Sequence, residues 1–277
     1  MRQYIHQLSK WPSFSWDYEA LLSTLGRVRN LQGQLKGQMI NLGFNLKDEA
    51  NLETTTLDIL KSSEIEGEFL NPEQVRSSVA RHLGLEISGL VPSDRNVDGV
   101  VEMLLDATIQ HKKPLNKERL FNWHSSLFPA GRSGTHKIVV GNWRDDATGP
   151  MQVVSGAMGK EKVHFETPAA PALENEMVKF LTWFNSEDHL DPVLKAGISH
   201  FWFVTIHPFD DGNGRIARAI ADMQLSRADD STQRFYSMSA QRKVERKQYY
   251  DILEKTQKGD LDIIDWLVWF INCLMSA

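Results

Sequence analysis

The twelve residues from His207 to Arg218, HPFDDGNGRIAR, combine side chains that are suited to handling a phosphate group. The imidazole of His207, with an ordinary pKa of roughly 6.5, can accept a proton near neutral pH. Asp211 is the better placed of the two carboxylates to bind Mg²⁺, which prefers a few carboxylate oxygens together with phosphates. Arg215 and Arg218 lie one helical turn apart and can reach the same anion. The segment therefore predicts a site for Mg²⁺-bound phosphate with His207 as general base.

The glycines within this segment predict a loop that leads into a helix. Gly212 and Gly214 flank Asn213 and permit backbone conformations with positive φ, so that successive N–H groups can form an anion-binding nest. A helical pattern of apolar residues starts after Arg215. We therefore expect the loop to end at a helix N-terminus, where unpaired N–H groups and the helix dipole favour an anion.

At every defined position this segment matches the signature of the Fic family, which it thus resembles. Fic enzymes transfer AMP from ATP to a hydroxyl group of a target protein. The resemblance implies a protein adenylyltransferase, an ATP-dependent nucleotidyltransferase, in which His207 deprotonates a Ser, Thr or Tyr hydroxyl and Asp211 binds Mg²⁺. It also implies that Asn213 and the amides of Gly212 and Gly214 hold the phosphates, and that Arg215 and Arg218 neutralise the β and γ groups.

A second motif, SSEIEG, lies far upstream at residues 62–67. The apolar pattern predicts a helix over 54–66 that is ended by Gly67. Ser62 and Glu66 are then at positions i and i+4 and share one helical face. The motif resembles the inhibitory motif of Fic proteins that carry their inhibitor N-terminal to the core. By that resemblance Glu66 pairs with Arg218 in place of the γ-phosphate, and the enzyme is autoinhibited.

Two further segments carry expectations about substrates. Short apolar runs around Gly156 and Gly159 predict a β-hairpin, which in Fic proteins is a flap that docks an extended target segment by strand addition. The flap residues expected nearest the target are Val163, His164 and Phe165. The pattern over 246–259 predicts a helix that resembles the adenosine-binding helix of the family. The residues expected to contact the nucleoside are Tyr249, Tyr250 and Gln257.

Composition limits the classes of function. The 277 residues carry a net charge of −5, which provides no electrostatic basis for non-specific nucleic-acid binding. The single cysteine, Cys273, excludes an intramolecular disulfide framework and fits a reducing, cytoplasmic location. The N-terminus has no apolar core of a secretory signal, and no apolar run is long enough to span a membrane.

Amphipathic helical patterns dominate the chain, so we expect a mainly α fold, a Fic-type helical bundle with one small β-hairpin and an N-terminal helical extension. The predicted domains are a front region, 1–92, with the inhibitory helix, and a catalytic core, 93–277. Relatives of this layout often continue into a winged-helix domain, whereas this sequence ends at Ala277, and DNA binding is therefore not carried over. The other predicted helices cover 18–42, 96–110, 117–128, 171–185 and 192–206.

Three functions fit these residues. The first is AMP transfer, with ATP and an unidentified target protein, or the chain itself, as substrates. The second is removal of AMP from a modified protein, in which Glu66 positions an attacking water. The third, from a different class, is a catalytically silent Fic module that acts in regulation or interaction. A homodimer that buries part of the front region is an additional expectation.

Overall fold

The computed structural model describes residues 4–147, 149–156, 162–187 and 189–277, and α-helices account for most of them. Short 3₁₀ turns at Ile5–Gln7 and Ala170–Ala172 accompany the helices. The mainly α fold that the sequence predicts is confirmed. In chain order the helices are α1 Tyr18–Ile40, α2 Phe44–Ile65, α3 Pro72–His82, α4 Arg95–Ile109, α5 Lys117–Leu127, α6 Leu173–Phe184, α7 Pro192–Ile206, α8 Asn213–Asp229, α9 Met238–Val244, α10 Arg246–Gln257 and α11 Ile264–Ser276.

Side-chain caps explain where several helices begin. Asp94 accepts hydrogen bonds from the backbone N–H groups of Asn96 and Val97 at the start of α4. Asp191 accepts one from Val193, and Pro192 occupies the first position of α7, where a missing N–H group has no consequence. The predicted helix 192–206 therefore has the same bounds as α7.

Two helices differ from the prediction at their starts. α2 begins at Phe44, ten residues before the predicted start at 54. The prediction missed these first turns because they are largely solvent-exposed and carry no apolar stripe. α8 begins at Asn213 instead of Arg215, so Gly214 belongs to the first turn of the helix. The predicted glycine loop is therefore shorter than expected.

The centre of the core is α7, in which every residue after Pro192 is buried. This helix is apolar on all sides, as expected of a helix that is surrounded by others. Its most extensive partner is α8, and α6 and α11 pack against it as well. Because α7 and α8 are joined by only six residues, the ends of two rigid, buried helices hold the connecting loop.

The structure contains two small antiparallel sheets in its described residues, whereas the sequence predicts one hairpin. β1, Arg132–Ser133, pairs with β2, His136–Lys137, and β3, Gln152–Ser155, pairs with β4, Lys162–Glu166. The first sheet was not predicted because two-residue strands have no periodicity to detect. The predicted hairpin corresponds to β3 and β4, while Gly159 in its turn lies outside the described residues.

The front region packs onto the rest of the chain at several points. α1 lies against α11, and α2 lies against α9. Backbone hydrogen bonds join Ser15 to Leu261 and Ile263, at 2.8 and 2.9 Å. The predicted boundary between residues 92 and 93 falls in the connection between α3 and α4 and stays a prediction. Within the described ranges, no helix combines the length and the apolar character that crossing a membrane requires.

Candidate active site

The connection between α7 and α8 is held in one conformation by its own side chains. The side-chain oxygen of Asn213 accepts a hydrogen bond from the Phe209 N–H at 3.0 Å, and its amide donates to the Phe209 carbonyl at 2.7 Å. The Phe209 ring is buried and stacks on His124 with ring centroids 4.2 Å apart. The Asn213 side chain therefore fixes the shape of the loop. Because both of its polar atoms are engaged, only the backbone N–H of Asn213 remains for the predicted phosphate contact.

His207 ends α7 in a left-handed conformation, with φ of 53°. Its Nδ1 lies 3.2 Å from the carbonyl oxygen of Val204. Because a carbonyl oxygen can only accept, Nδ1 carries the proton and Nε2 keeps a free lone pair. Burial lowers the pKa of His207 to about 4, so the ring is neutral at physiological pH. The predicted base is thus in the form that can accept a proton.

Arg144 holds the backbone on the other side of His207. Its Nε donates to the His207 carbonyl at 2.8 Å, and its backbone N–H donates to the Pro208 carbonyl at 2.9 Å. The side chain is fully buried, and its Nη2 also donates to the Thr167 hydroxyl at 2.7 Å. Arg144 could not be identified from the sequence, because an isolated arginine after a tryptophan has no recognisable spacing. Its contacts couple the loop to the segment that follows β4.

The two adjacent aspartates of the loop have different surroundings. Asp210 accepts a hydrogen bond from the backbone N–H of Val139 at 2.8 Å. Asp211 accepts one from the Gly212 N–H at 2.6 Å and a second from the Ser133 hydroxyl, on β1. Asp211 is partly exposed at the mouth of the loop. Asp210 therefore anchors the segment that follows β2, while Asp211 as the ligand of a metal ion stays a prediction, since both carboxylates are partly exposed.

His124 on α5 is a second histidine of the site, and it was not among the predicted site residues. Its Nδ1 accepts a hydrogen bond from the Gly141 N–H at 3.2 Å, so Nε2 carries the proton and donates to the Asp211 carbonyl, also at 3.2 Å. Burial lowers the pKa of His124 to about 4, which keeps the ring neutral. His124 thus holds the backbone at Asp211 through this hydrogen bond, and no local sequence signal indicates this role.

The two glycines of the motif suit their positions for different reasons. Gly212 has a φ of 80°, and an added Cβ would lie 2.9 Å from the Phe128 ring. Gly214 has ordinary helical geometry, but an added Cβ would lie 2.1 Å from Oε1 of Glu66. Only Gly212 adopts the positive φ that we expected of this loop. Gly214 instead leaves space for a carboxylate that comes from α2.

Arg218 is the point where α2 meets α8. Its guanidinium is almost completely buried, and Nη1 lies 2.8 Å from Oε1 of Glu66. Nε donates to the Ser62 hydroxyl at 2.8 Å, and Nη2 donates to the Ser62 carbonyl at 2.9 Å. The contact between Glu66 and Arg218 that the resemblance implies is thus present. Gly67 follows with a φ of 85°.

Arg215 lies beside Arg218 and is also buried. Its Nη1 forms an ion pair with Glu68, and its guanidinium lies 5.0 Å from the centroid of the Phe128 ring. Glu68 was not among the predicted site residues, although it lies only two positions after Glu66. Both arginines of the motif therefore have a carboxylate partner from the same turn.

The three residues expected to contact a nucleoside lie in two different environments. Tyr250 is partly exposed, and its hydroxyl is 3.4 Å from Oε2 of Glu66. Tyr249 is buried with its hydroxyl 2.9 Å from Nε2 of His200, and the Gln257 amide donates to the Thr205 hydroxyl at 3.2 Å. Tyr250 borders the site. Burial raises the pKa of Tyr249 and the charge of Arg218 opposes this rise, so Tyr249 also lies beside Arg218, whereas Gln257 is engaged within the core.

The three expected flap residues share β4. Val163 and Phe165 pair with Val154 and Val153, and His164 is the extra residue of a β-bulge between them. His164 contacts the Ser155 hydroxyl and the Glu254 carboxylate on α10. The Phe165 ring is buried, with edge-to-face contacts to the rings of Tyr4 and His6. Side chains thus attach this hairpin to α10 and to the front of the chain.

Comparison with known proteins gives two family matches and several relatives. Residues 114–225 match the model of the Fic/DOC family, and residues 4–85 match a domain of unknown function, DUF4172. The chain is 27% identical over 218 residues to "Protein adenylyltransferase fic-1" of Caenorhabditis elegans, which covers 73% of this chain and 40% of that protein. It is 38% identical over 96 residues to "Protein adenylyltransferase Fic" of Nematostella vectensis, which covers 34% and 21% respectively. The chain thus spans less than half the length of these relatives.

Solved structures give a similar result for the fold. A Fic family protein from Desulfovibrio desulfuricans superposes with a TM-score of 0.68 at 21% identity, over 96% of this chain and 74% of that chain. Fic-1 from C. elegans superposes with a TM-score of 0.62 at 20% identity, over 93% and 72%. Both superpositions cover the front region together with the core.

Proposed function

We propose that this chain, whose residues 114–225 match the Fic/DOC family model, is a protein adenylyltransferase whose site is restrained by Glu66. The observation that carries the proposal is the position of His207 beside the N-terminus of α8, which bears Arg215 and Arg218. A neutral base, the unpaired N–H groups of a first helical turn and two buried cations meet within twelve residues. This combination suits a nucleophilic attack on a phosphate.

In the proposed reaction a hydroxyl oxygen of the target attacks the α-phosphorus of ATP. The bond from that phosphorus to the bridging oxygen breaks, and pyrophosphate leaves. The hydroxyl proton passes to Nε2 of His207, whose lone pair is free because Nδ1 donates to Val204. Arg215, Arg218 and the first N–H groups of α8 stabilise the negative charge of the phosphates.

Asp211 is the residue that we propose to hold Mg²⁺. Its carboxylate offers the hard oxygen ligands that Mg²⁺ prefers, and hydrogen bonds from Gly212 and Ser133 orient it. In the part of the chain that the structure describes, no cluster of three or more acidic, His or Cys side chains could hold a metal. A single carboxylate is sufficient where phosphates and waters complete the coordination. Bound there, the ion would neutralise phosphate charge.

Glu66 is the proposed restraint. Its carboxylate forms an ion pair with Nη1 of Arg218, and this N–H donor would otherwise be available to a phosphate oxygen. The arginine is buried and the pair is only partly exposed to solvent, so the interaction is less screened than a surface ion pair. ATP must therefore displace Glu66 before Arg218 can bind a phosphate, and we expect low basal activity.

The hairpin of β3 and β4 is the proposed docking element for the target. An extended target segment would add as a third strand, because each strand of a two-stranded sheet has one edge without a strand partner. Main-chain groups of Val163, His164 and Phe165 would set its register. The buried Phe165 ring and the engaged His164 ring keep the hairpin in place instead of contacting the target.

Intact-protein mass spectrometry tests the proposal. The parent, Glu66→Gly and the double variant Glu66→Gly/His207→Ala are each incubated with ATP and Mg²⁺. We expect a gain of one AMP on Glu66→Gly, little or none on the parent, and none on the double variant. Absence of AMP from all three proteins would contradict self-modification. Addition of AMP to the double variant would show that His207 is not the base.

Removal of AMP is a second candidate, which the position of Glu66 favours. The negative charge of Glu66 opposes the lowering of the pKa of His207 by burial, and in this second reaction the carboxylate would orient a water beside the base. Incubation of the parent and of Glu66→Gln with an AMP-modified Glu66→Gly protein distinguishes the two. Loss of AMP with the parent alone supports removal. If no protein gains AMP in the first experiment, so that there is no modified protein from which to remove it, a silent interaction module is favoured.

A further inference from the structure

The turn that follows α2 carries a second carboxylate directed at the phosphate-binding arginines. Glu68 forms an ion pair with Nη1 of Arg215, whose side chain is 3% exposed. The other face of this guanidinium packs on the Phe128 ring. A cation this deeply buried requires a counter-charge, and Glu68 provides it in the absence of ligand. Glu68 thus has the same relation to Arg215 as Glu66 has to Arg218.

The backbone of the turn explains why both carboxylates reach one site. Gly67 adopts a left-handed conformation, the Gly67 N–H donates to the Glu64 carbonyl at 3.1 Å, and the Glu68 N–H donates to the Ser63 carbonyl at 3.0 Å. These bonds form a Schellman motif, which closes the helix and reverses the chain direction. Glu66 and Glu68, on either side of Gly67, are therefore both held against α8.

The backbone of the turn is also held by the region around α9 and α10, through contacts that involve neither the Glu66 nor the Glu68 carboxylate. Lys243 donates to the Glu64 carbonyl and Arg246 donates to the Ile65 carbonyl, each at 2.8 Å. Further along α2, Asp58 accepts hydrogen bonds from Ser237 and Ser239 of the α9 N-terminus. Neutralising Glu66 or Glu68 therefore leaves the position of α2 supported.

We propose that Glu68 is a second inhibitory carboxylate, so that residues 62–68 close both arginines of the phosphate site. This inference rests on the proposed function, which assigns Arg215 and Arg218 to the phosphates of ATP. It gives the domain of unknown function over residues 4–85 a specific task, which is to present two carboxylates to the core. Glu66 acts on one arginine only, and its removal leaves Arg215 closed.

The charges around the two arginines support this assignment. Burial raises the pKa of Glu68, and the neighbouring carboxylates of Asp211 and Glu66 raise it as well, whereas Arg215 and Arg218 both lower it and so favour the charged carboxylate. Three carboxylates thus surround two guanidinium groups, and an incoming polyphosphate meets an excess of negative charge. Removing either glutamate charge should favour the bound anion by exposing one cation and by lessening repulsion.

Isothermal titration calorimetry with Mg²⁺–ATP tests the inference. All proteins carry His207→Ala, so that no transfer occurs during the titration. The variants are Glu66→Gln, Glu68→Gln and the double variant. We expect Glu68→Gln to tighten ATP binding by about tenfold in the Glu66→Gln background, which corresponds to the loss of one charged contact that competes with phosphate.

Two controls accompany the titration. Glu64→Gln removes a carboxylate from the same turn that pairs with Lys61 at 2.8 Å instead of with either arginine, and ATP affinity should not change. AMP, which lacks the β and γ phosphates, should gain much less than ATP from Glu68→Gln. Thermal unfolding of each variant verifies that the fold is intact.

Equal ATP affinities for folded Glu66→Gln and Glu66→Gln/Glu68→Gln would overturn the inference. An equal gain for AMP and ATP would overturn it as well, because the effect would then not lie at the distal phosphates. The proposed function fails separately. A protein that binds ATP in the predicted order but adds no AMP in the mass measurement retains the two-carboxylate restraint and is not an adenylyltransferase.

Discussion

Gly214 and Glu66 occupy complementary space, since a Cβ atom on residue 214 would lie 2.1 Å from Oε1 of Glu66. These residues are far apart in sequence and come from α8 and α2. Gly214 has helical backbone geometry, so its conformation alone does not require glycine. The lack of a side chain at this position allows the carboxylate to reach Arg218.

Gly214→Ala is predicted to displace the Glu66 carboxylate without straining the backbone. Alanine favours the helix by up to about 1 kcal/mol over glycine, which offsets part of the lost ion pair. Glu66→Gln should lower the free energy of unfolding by about 1 kcal/mol in the parent. In the Gly214→Ala background the same substitution should have no effect, because the ion pair is already lost. Urea unfolding of the four proteins measures this coupling, and fully additive effects would contradict it. Gly212→Ala, a control with positive φ, should lose about 2 kcal/mol.

His207 is predicted to remain an effective base well below neutral pH. Its pKa of about 4 means that the ring is neutral throughout the range from pH 5.5 to pH 8. The kcat/KM for AMP transfer by Glu66→Gly should therefore stay nearly constant over this range. An ordinary histidine with a pKa near 6.5 would lose about tenfold at the acidic end. Quantitative mass spectrometry of AMP incorporation gives the profile, and an inflection near pH 6.5 would refute this account.

His124 is predicted to make the fold sensitive to acid. Its pKa is about 4 in the folded state and 6.5 in the unfolded state, so between these values the unfolded chain binds more protons. The free energy of unfolding should therefore decrease as the pH falls from 6.5 to 4, by about 3 kcal/mol from this residue. His124→Gln keeps a donor for the Asp211 carbonyl and removes the titration.

Urea unfolding between pH 4.5 and pH 6.5 compares the parent with His124→Gln. The free energy of unfolding should depend less steeply on pH in the variant. The difference in slope should correspond to up to one proton fewer taken up on unfolding. Burial raises the pKa of Asp222 to about 6, and this carboxyl has the opposite effect, with stability lost as the pH rises from 3.8 to 6. It is present in both proteins and cancels in the difference. Identical slopes would show that His124 does not carry the effect.

Arg144→Lys is predicted to destabilise the fold by about 3 kcal/mol. A lysine has no planar fork of donors, so it cannot satisfy the His207 carbonyl and the Thr167 hydroxyl together. Urea unfolding measures the loss. Arg76→Lys is a matched control, because the Arg76 pair with Glu49 is solvent-exposed and should change by less than 1 kcal/mol. Equal effects of both substitutions would contradict a special role for Arg144.

The positions of His207, Asp211, Arg215 and Arg218 could be predicted from the sequence because these residues are local. A helix end, a six-residue connection and a first helical turn determine their relative positions almost completely, whatever the rest of the chain does. The mainly α fold was predictable for a similar reason, since apolar periodicity is a short-range signal. The contact between Glu66 and Arg218 spans 152 residues, and only a resemblance could suggest it.

The tertiary structure alone decided which residues support the loop and which carboxylates pair with the two arginines of the motif. Arg144, His124 and Glu68 reach the site from the segment before β3, from α5 and from the turn after α2, and no spacing in the sequence relates them to His207. The same holds for the separate roles of Gly212 and Gly214, since one needs a positive φ and the other needs space. Hydrogen bonds and ion pairs between distant segments depend on how helices pack. How the helices pack depends on apolar residues from the whole chain, so no short segment of the sequence is sufficient to predict these contacts.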